Sequence, residues 1–121
     1  MKYLAILFTC FALLSSTTKD KKMKPYVIEI TTFKFKESVN ADDFWKEDAT
    51  ITATYTSKQP GYMSRESGYN SEKNEVVVVV KWKTMTDAET SMNKFMTDTS
   101  VTKYANMIDG SSMKMTRYNV D

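Results

Sequence analysis

From Tyr26 onward the spacing of apolar residues switches between two periods, and each switch marks a new element. Residues Tyr26 to Lys36 alternate side to side and are rich in β-branched and aromatic types, which predicts a strand. Asn40 can cap a following helix, with Asp43 three residues later as an imperfect capping-box partner, and the helix is expected to run to about Lys58. Its stripe reads Ala41, Phe44, Ile51, Thr52 and Tyr55, with Asp48 among them. Gln59-Pro60-Gly61 ends it, because proline cannot continue a helix and glycine suits a turn. Tyr62 to Tyr69 and Glu75 to Lys83 predict two strands joined by the turn Asn70 to Asn74, the second strand being built on five consecutive valines.

Thr86 and Glu89 form a capping box for a second helix, whose apolar positions are Met85, Ala88, Met92, Phe95 and Met96. Val101, Tyr104, Ala105 and Ile108 follow at helical spacing, Gly110 is the expected stop, and Ser112 to Val120 is the last strand. The order β-α-β-β-α-β predicts an α+β, ferredoxin-like fold with an antiparallel four-stranded sheet and helices on one face. The other face would leave Val77 and Val79 exposed, so two copies are expected to pair sheet to sheet as a homodimeric α/β barrel.

Strand parity sorts the side chains. Val76, Val78, Val80 and Trp82 share one face of their strand, and Val27, Glu29, Thr31, Phe33 and Phe35 share one face of the first.

The segment before Tyr26 has a different character. Met1 and Lys2 lead into a mostly apolar stretch from Tyr3 to Leu14 and then Ser15, Ser16, Thr17 and Thr18, the pattern of a secretory signal peptide. We therefore divide the chain into a signal peptide (1–18), a polar spacer (19–25) and a folded domain (26–121), and expect export to the periplasm or outside. The apolar stretch is shorter than the roughly 20 residues of a membrane span. A lipoprotein reading at Cys10 is disfavoured by bulky Phe11, Leu13 and Leu14 after it and by Thr9 before it.

Composition narrows the chemistry. The chain has no histidine, and Cys10 is its single cysteine. That excludes Ser-His-Asp and Cys-His nucleophile systems, the usual zinc sites and histidine-ligated haem. Removing the leader takes away Lys2, so sixteen basic residues face fifteen acidic ones. A near-neutral domain without a long basic run lacks the footprint of a nucleic-acid binder.

Several segments together carry a resemblance: the first strand Val27-Ile28-Glu29-Ile30-Thr31-Thr32-Phe33-Lys34-Phe35-Lys36, the turn Gln59-Pro60-Gly61-Tyr62 leading to Ser64-Arg65-Glu66, the strand Val78-Val79-Val80-Lys81-Trp82-Lys83-Thr84, and the helix opening Thr86-Asp87-Ala88-Glu89. The domain resembles the antibiotic-biosynthesis-monooxygenase-like domains of the dimeric α/β-barrel superfamily. That resemblance implies a pocket between sheet and helices, a small aromatic or quinol-type molecule as partner, and oxygenation without metal, flavin or other cofactor. Parity gives each strand set a common face, and the implied pocket puts both sets, Val76 to Trp82 and Val27 to Phe35, on the helix side. Trp82 matches the family's third-strand tryptophan. Glu29 and Thr31 occupy the stretch where some members carry an asparagine. Members that degrade haem hold its iron with a histidine, which this chain lacks.

The candidate bases are Glu29 and Asp48. Two carboxylates facing one apolar pocket are expected to have raised pKa values, as suits deprotonation of a phenol. The alternatives are that Glu29 pairs with a lysine or with Arg117, and that Asp48 sits solvated at the margin of its stripe. Trp82, Tyr55 and Phe33 are candidate pocket walls or ordinary core residues. Arg65 can hold a substrate anion, or pair with Glu29, Asp48 or Glu66. Seven methionines lie at Met63 and beyond, and Met113 and Met115 share a strand face. Such thioethers suit copper(I) or, more simply, flexible packing and varied apolar ligands. A non-catalytic binding protein and a structural module of the same fold remain open beside the oxygenase reading.

Overall fold

A computed structural model of the chain describes residues 24–121. The signal-peptide, spacer-start and Cys10 readings lie outside the described residues. Strand β1 (Tyr26–Phe35) leads to helix α1 (Ala41–Thr54), then a 3₁₀ turn (Thr56–Lys58), β2 (Tyr62–Asn70) and β3 (Glu75–Trp82). Helix α2 (Met85–Phe95), a 3₁₀ turn (Thr99–Val101), helix α3 (Thr102–Met107) and β4 (Ile108–Val120) complete the order. The strands form one antiparallel sheet in the order β2-β3-β1-β4, which is the ferredoxin-like arrangement expected from the sequence.

The caps explain the helix starts. Asn40 Oδ1 accepts from the amides of Asp42 (2.9 Å) and Asp43 (3.4 Å), which satisfies two of the unpaired N–H groups at the start of α1. The second helix begins two residues earlier than the Thr86–Glu89 box predicts. Thr84 is its cap, accepting from the Asp87 amide at 3.1 Å, because Met85 already carries helical geometry. Helix α1 also stops short of the predicted Lys58. Tyr55 leaves helical geometry (φ −125°, ψ −67°), and its hydroxyl instead donates to the Ser91 carbonyl of α2 at 2.8 Å.

The turn after α1 needs its glycine. Gly61 has φ +81°, and a Cβ there would collide with the Asp87 side chain. The Gly61 carbonyl accepts from the Lys83 amide at 2.8 Å, which fixes the start of β2 beside the end of β3. Gly110 does not act as the predicted stop. It lies inside β4, which follows α3 directly at Ile108.

Parity held across the sheet. Val27, Glu29, Thr31 and Phe33 of β1 and Val76, Val78, Val80 and Trp82 of β3 are buried, whereas Ile28, Ile30, Val77 and Val79 between them are only half-buried. The first set packs under the helices with Phe44, Ile51, Tyr55, Ala88, Val101, Tyr104 and Ile108, forming the core. Trp82 pairs with Val27 and Val80 with Glu29, so the glutamate stands among apolar neighbours. Among the described residues, no helix is long and apolar enough to cross a membrane.

Candidate functional site

A cavity of about 100 Å³ remains between the sheet and the helices. Glu29, Thr31 and Phe33 of β1, Val78, Val80 and Trp82 of β3, and Arg65 of β2 form its sheet side. Ile51 and Tyr55 of the first helical segment, Ser91, Met92 and Phe95 of α2, and Tyr104 of α3 form its helix side. Five of the six candidates taken from the sequence, Glu29, Trp82, Tyr55, Arg65 and Phe33, therefore meet around one space. Asp48 does not line it.

Register explains this convergence. Glu29 lies opposite Val80 on one side and Arg117 on the other, and Arg65 lies opposite Val80 from β2. Glu29, Val80 and Arg65 thus form a row across three strands, on the face that looks at the helices. Each side chain inherits its direction from strand parity.

Glu29 is 5 % exposed and anchored at both oxygens. Oε2 accepts from Arg117 Nε at 2.7 Å, and Oε1 accepts a long hydrogen bond from Trp82 Nε1 at 3.4 Å. Of the alternatives open from sequence, Arg117 is the partner. The carboxylate keeps unused lone pairs, since each oxygen receives a single protein donor and an ionised carboxylate offers about four acceptor sites.

Asp48 is also 5 % exposed but belongs to a network built on one of its two oxygens. Its Oδ1 accepts from Arg65 Nη2 at 2.7 Å and from the Tyr104 hydroxyl at 2.8 Å. Arg65 further donates from Nη1 to Thr52 Oγ1 (2.9 Å) and the Asp48 carbonyl (3.3 Å), and from Nη2 to the Tyr104 oxygen (3.2 Å). The predicted rise in pKa is overturned here. Burial alone pushes the Asp48 carboxyl up, but the Arg65 guanidinium, by hydrogen bond and charge, together with the Ser67 and Tyr104 hydroxyls, holds it below its ordinary value. Ser67 Oγ sits close enough to help, yet its geometry falls short of a hydrogen bond.

The same network fixes its other members. Burial, and then the Asp48 charge, push the Tyr104 phenol far above its ordinary value, so it stays a neutral donor. Burial works against the Arg65 charge, but Asp48 and Tyr104 outweigh it and raise its pKa. Tyr55 is raised as well, mainly by burial. Arg65 and Tyr104 line the cavity and hydrogen-bond to Asp48, so Asp48 influences the cavity only through them. The five-membered donor set of Arg65 has one N–H, at Nε, outside these bonds.

Tyr104 is the residue the sequence reading did not single out. The Val101-Tyr104-Ile108 spacing marks it as core, and that much holds. The missed signal is a phenol in an apolar stripe, whose hydroxyl needs a partner, matched by a carboxylate misplaced in another stripe. Two polar misfits on facing helices satisfy one another.

No family model matches the chain, and no curated protein matches it. Solved structures do. The chain aligns with SnoaB, a cofactor-independent oxygenase from Streptomyces nogalater, at TM-score 0.54 and 13% identity, covering 79% of this chain and 91% of that one. It has the fold of the antibiotic biosynthesis monooxygenases. A Nitrosomonas europaea protein provisionally described as one of these aligns at TM-score 0.62 and 17% identity, over 83% of this chain and 93% of that one. A conserved protein of unknown function from Bacteroides thetaiotaomicron aligns at TM-score 0.53 and 11% identity, over 81% and 98%. At these identities the likeness is one of fold, and the monooxygenase-like architecture read from the sequence is the one observed.

Proposed function

We propose that the domain is an exported, homodimeric oxygenase of the cofactor-independent type, acting on a small phenol or quinol held in the cavity. One observation carries the reading: Glu29 presents a carboxylate to a largely apolar space walled by Trp82, Phe33 and Tyr55, with Arg65 as its other charged group. Such a group is placed to take a phenolic proton, and the resulting electron-rich anion can pass electrons to oxygen itself. The balance needs no outside reductant. A hydroquinone plus O₂ gives a hydroxyquinone plus water, with all four electrons that reduce O₂ supplied by the ring. Phe33 and Trp82 border the ring from the sheet side, and Arg65, which also lines the cavity, steadies the developing oxyanion. Asp48 is assigned to positioning Arg65, not to proton transfer.

Oxygen consumption with a panel of hydroquinones tests this. The native protein is expected to consume oxygen, and Glu29→Gln, which keeps the shape and loses the base, to lower the rate by about 10²- to 10⁴-fold. Equal rates for the two proteins would remove Glu29 from the chemistry. A second reading, a non-catalytic carrier of the same ligands, is favoured by the anchoring of Glu29 to Arg117. Binding without oxygen uptake would select it. The dimer rests on the half-buried valines and isoleucines of the open sheet face, and export on the apolar leader.

A further inference from the structure

The polarity of the cavity is inverted relative to an ordinary surface cleft. Its charged groups belong to side chains that are almost wholly buried, with Glu29 6 % and Arg65 5 % exposed at the side chain. Of the residues around it, only Met96 and Met113 are exposed, at 76 % and 39 %. The opening to solvent therefore lies between two thioether side chains, with half-buried Met92 one helical turn behind Met96. Singly exposed apolar side chains are ordinary, but these converge on the mouth of a largely apolar site, where a guest can cover them. Methionine suits that use, because its unbranched thioether adapts to an apolar guest of variable shape.

The space inside is small. At about 100 Å³ it compares with the engineered cavities of about 150 Å³ that hold one benzene ring. It is smaller than those cavities, so a fused polycyclic substrate is too large for it, a single ring fills it, and anything further must leave through the methionine opening. We infer that the ligand is amphiphilic: a single phenolic or quinol ring carrying a linear alkyl tail, the ring against Glu29 and the tail lying over Met92, Met96 and Met113. This rests on the ring-binding reading of the cavity above and names its substrate class.

The test is calorimetric titration under nitrogen, so that no turnover occurs, with hydroquinone and its 2-butyl, 2-hexyl and 2-octyl derivatives. Affinity is expected to rise about two- to fourfold per methylene over the first carbons, which is the gain from moving a CH₂ largely out of water. The Met96→Ser/Met113→Ser variant is expected to flatten that rise, read as the ratio of octyl to parent affinity within each protein. Met96→Ser alone, at a position three-quarters exposed, guards against a folding defect and is expected to give an intermediate ratio. If the parent ring binds but the tail adds nothing, or if the rise survives in the double variant, the inference fails while the ring-binding reading stands. If no member of the series binds, both fall together.

Discussion

Two buried carboxylates of this domain have the same exposure, 5 %, and each meets an arginine at 2.7 Å, yet they belong to different parts of the molecule's economy. Asp48 sits behind the cavity wall. Its arginine is as buried as it is, and the hydroxyls of Tyr104 and Thr52 complete a network tying α1, β2 and α3 together. Glu29 sits at the cavity. Its arginine, on strand β4, is 22 % exposed at the side chain, and its second contact is a long one from Trp82. Burial and a short ion pair therefore do not mark a functional carboxylate. What separates the two is whether spare acceptor capacity faces a space that a ligand can enter.

The comparison can be broken most forcefully at Arg65. Arg65→Met leaves Asp48 buried without its counter-ion and is expected to cost about 3–5 kcal/mol in urea unfolding. Pairing it with Asp48→Leu should return most of that loss, because replacing both ions with apolar groups is often nearly neutral. A single-variant cost below about 1 kcal/mol would mean that water reaches Asp48. Arg117→Met is expected to be milder, about 1 kcal/mol, since its pair is partly solvated and water in the cavity can rehydrate Glu29. Its consequence should appear instead in ligand affinity; unfolding measurements and hydroquinone titrations on the two arginine variants side by side would expose any reversal.

The smallest effect is the pH dependence. Asp48 is held below its ordinary value of 3.8 chiefly by Arg65 against the opposing effect of burial, so the unfolded chain takes up this proton before the folded one does. The stabilisation is complete above that value and is lost as pH falls through it toward the folded-state pKa. Urea midpoints measured from about pH 6 to about pH 3 should decline more steeply for the native protein than for the Asp48→Leu/Arg65→Met variant. Parallel curves would assign acid sensitivity to other carboxylates.

Much of this was legible in the chain before any coordinates. Period-two alternation grouped Glu29 with Phe33 in β1 and Val78 with Val80 and Trp82 in β3, because a pleated strand fixes which side chains share a face, and the family resemblance pointed to the helix side, where the structure buries them. Asn40 announced α1 for the equally local reason that its side chain reaches amides two and three residues away. Local signals failed where a distant partner intervened. Tyr55 ended α1 early to reach Ser91, thirty-six residues on, and Gly110 lies within β4 in the irregular stretch between the pairs Lys34–Asp109 and Thr32–Lys114.

The sequence by itself determined the element order, the sheet topology it favours, which side chains share a face of β1 and of β3, and the absence of histidine chemistry. Only the tertiary structure decided which arginine each carboxylate keeps, that Tyr104 joins Asp48, and that Asp48 stands outside the cavity while Glu29 lines it. The reason is physical. Periodicity and capping act over a few residues and are written in neighbouring positions. The partner of a buried charge is chosen by strand register and helix packing, which bring together residues such as Glu29 and Arg117, eighty-eight positions apart.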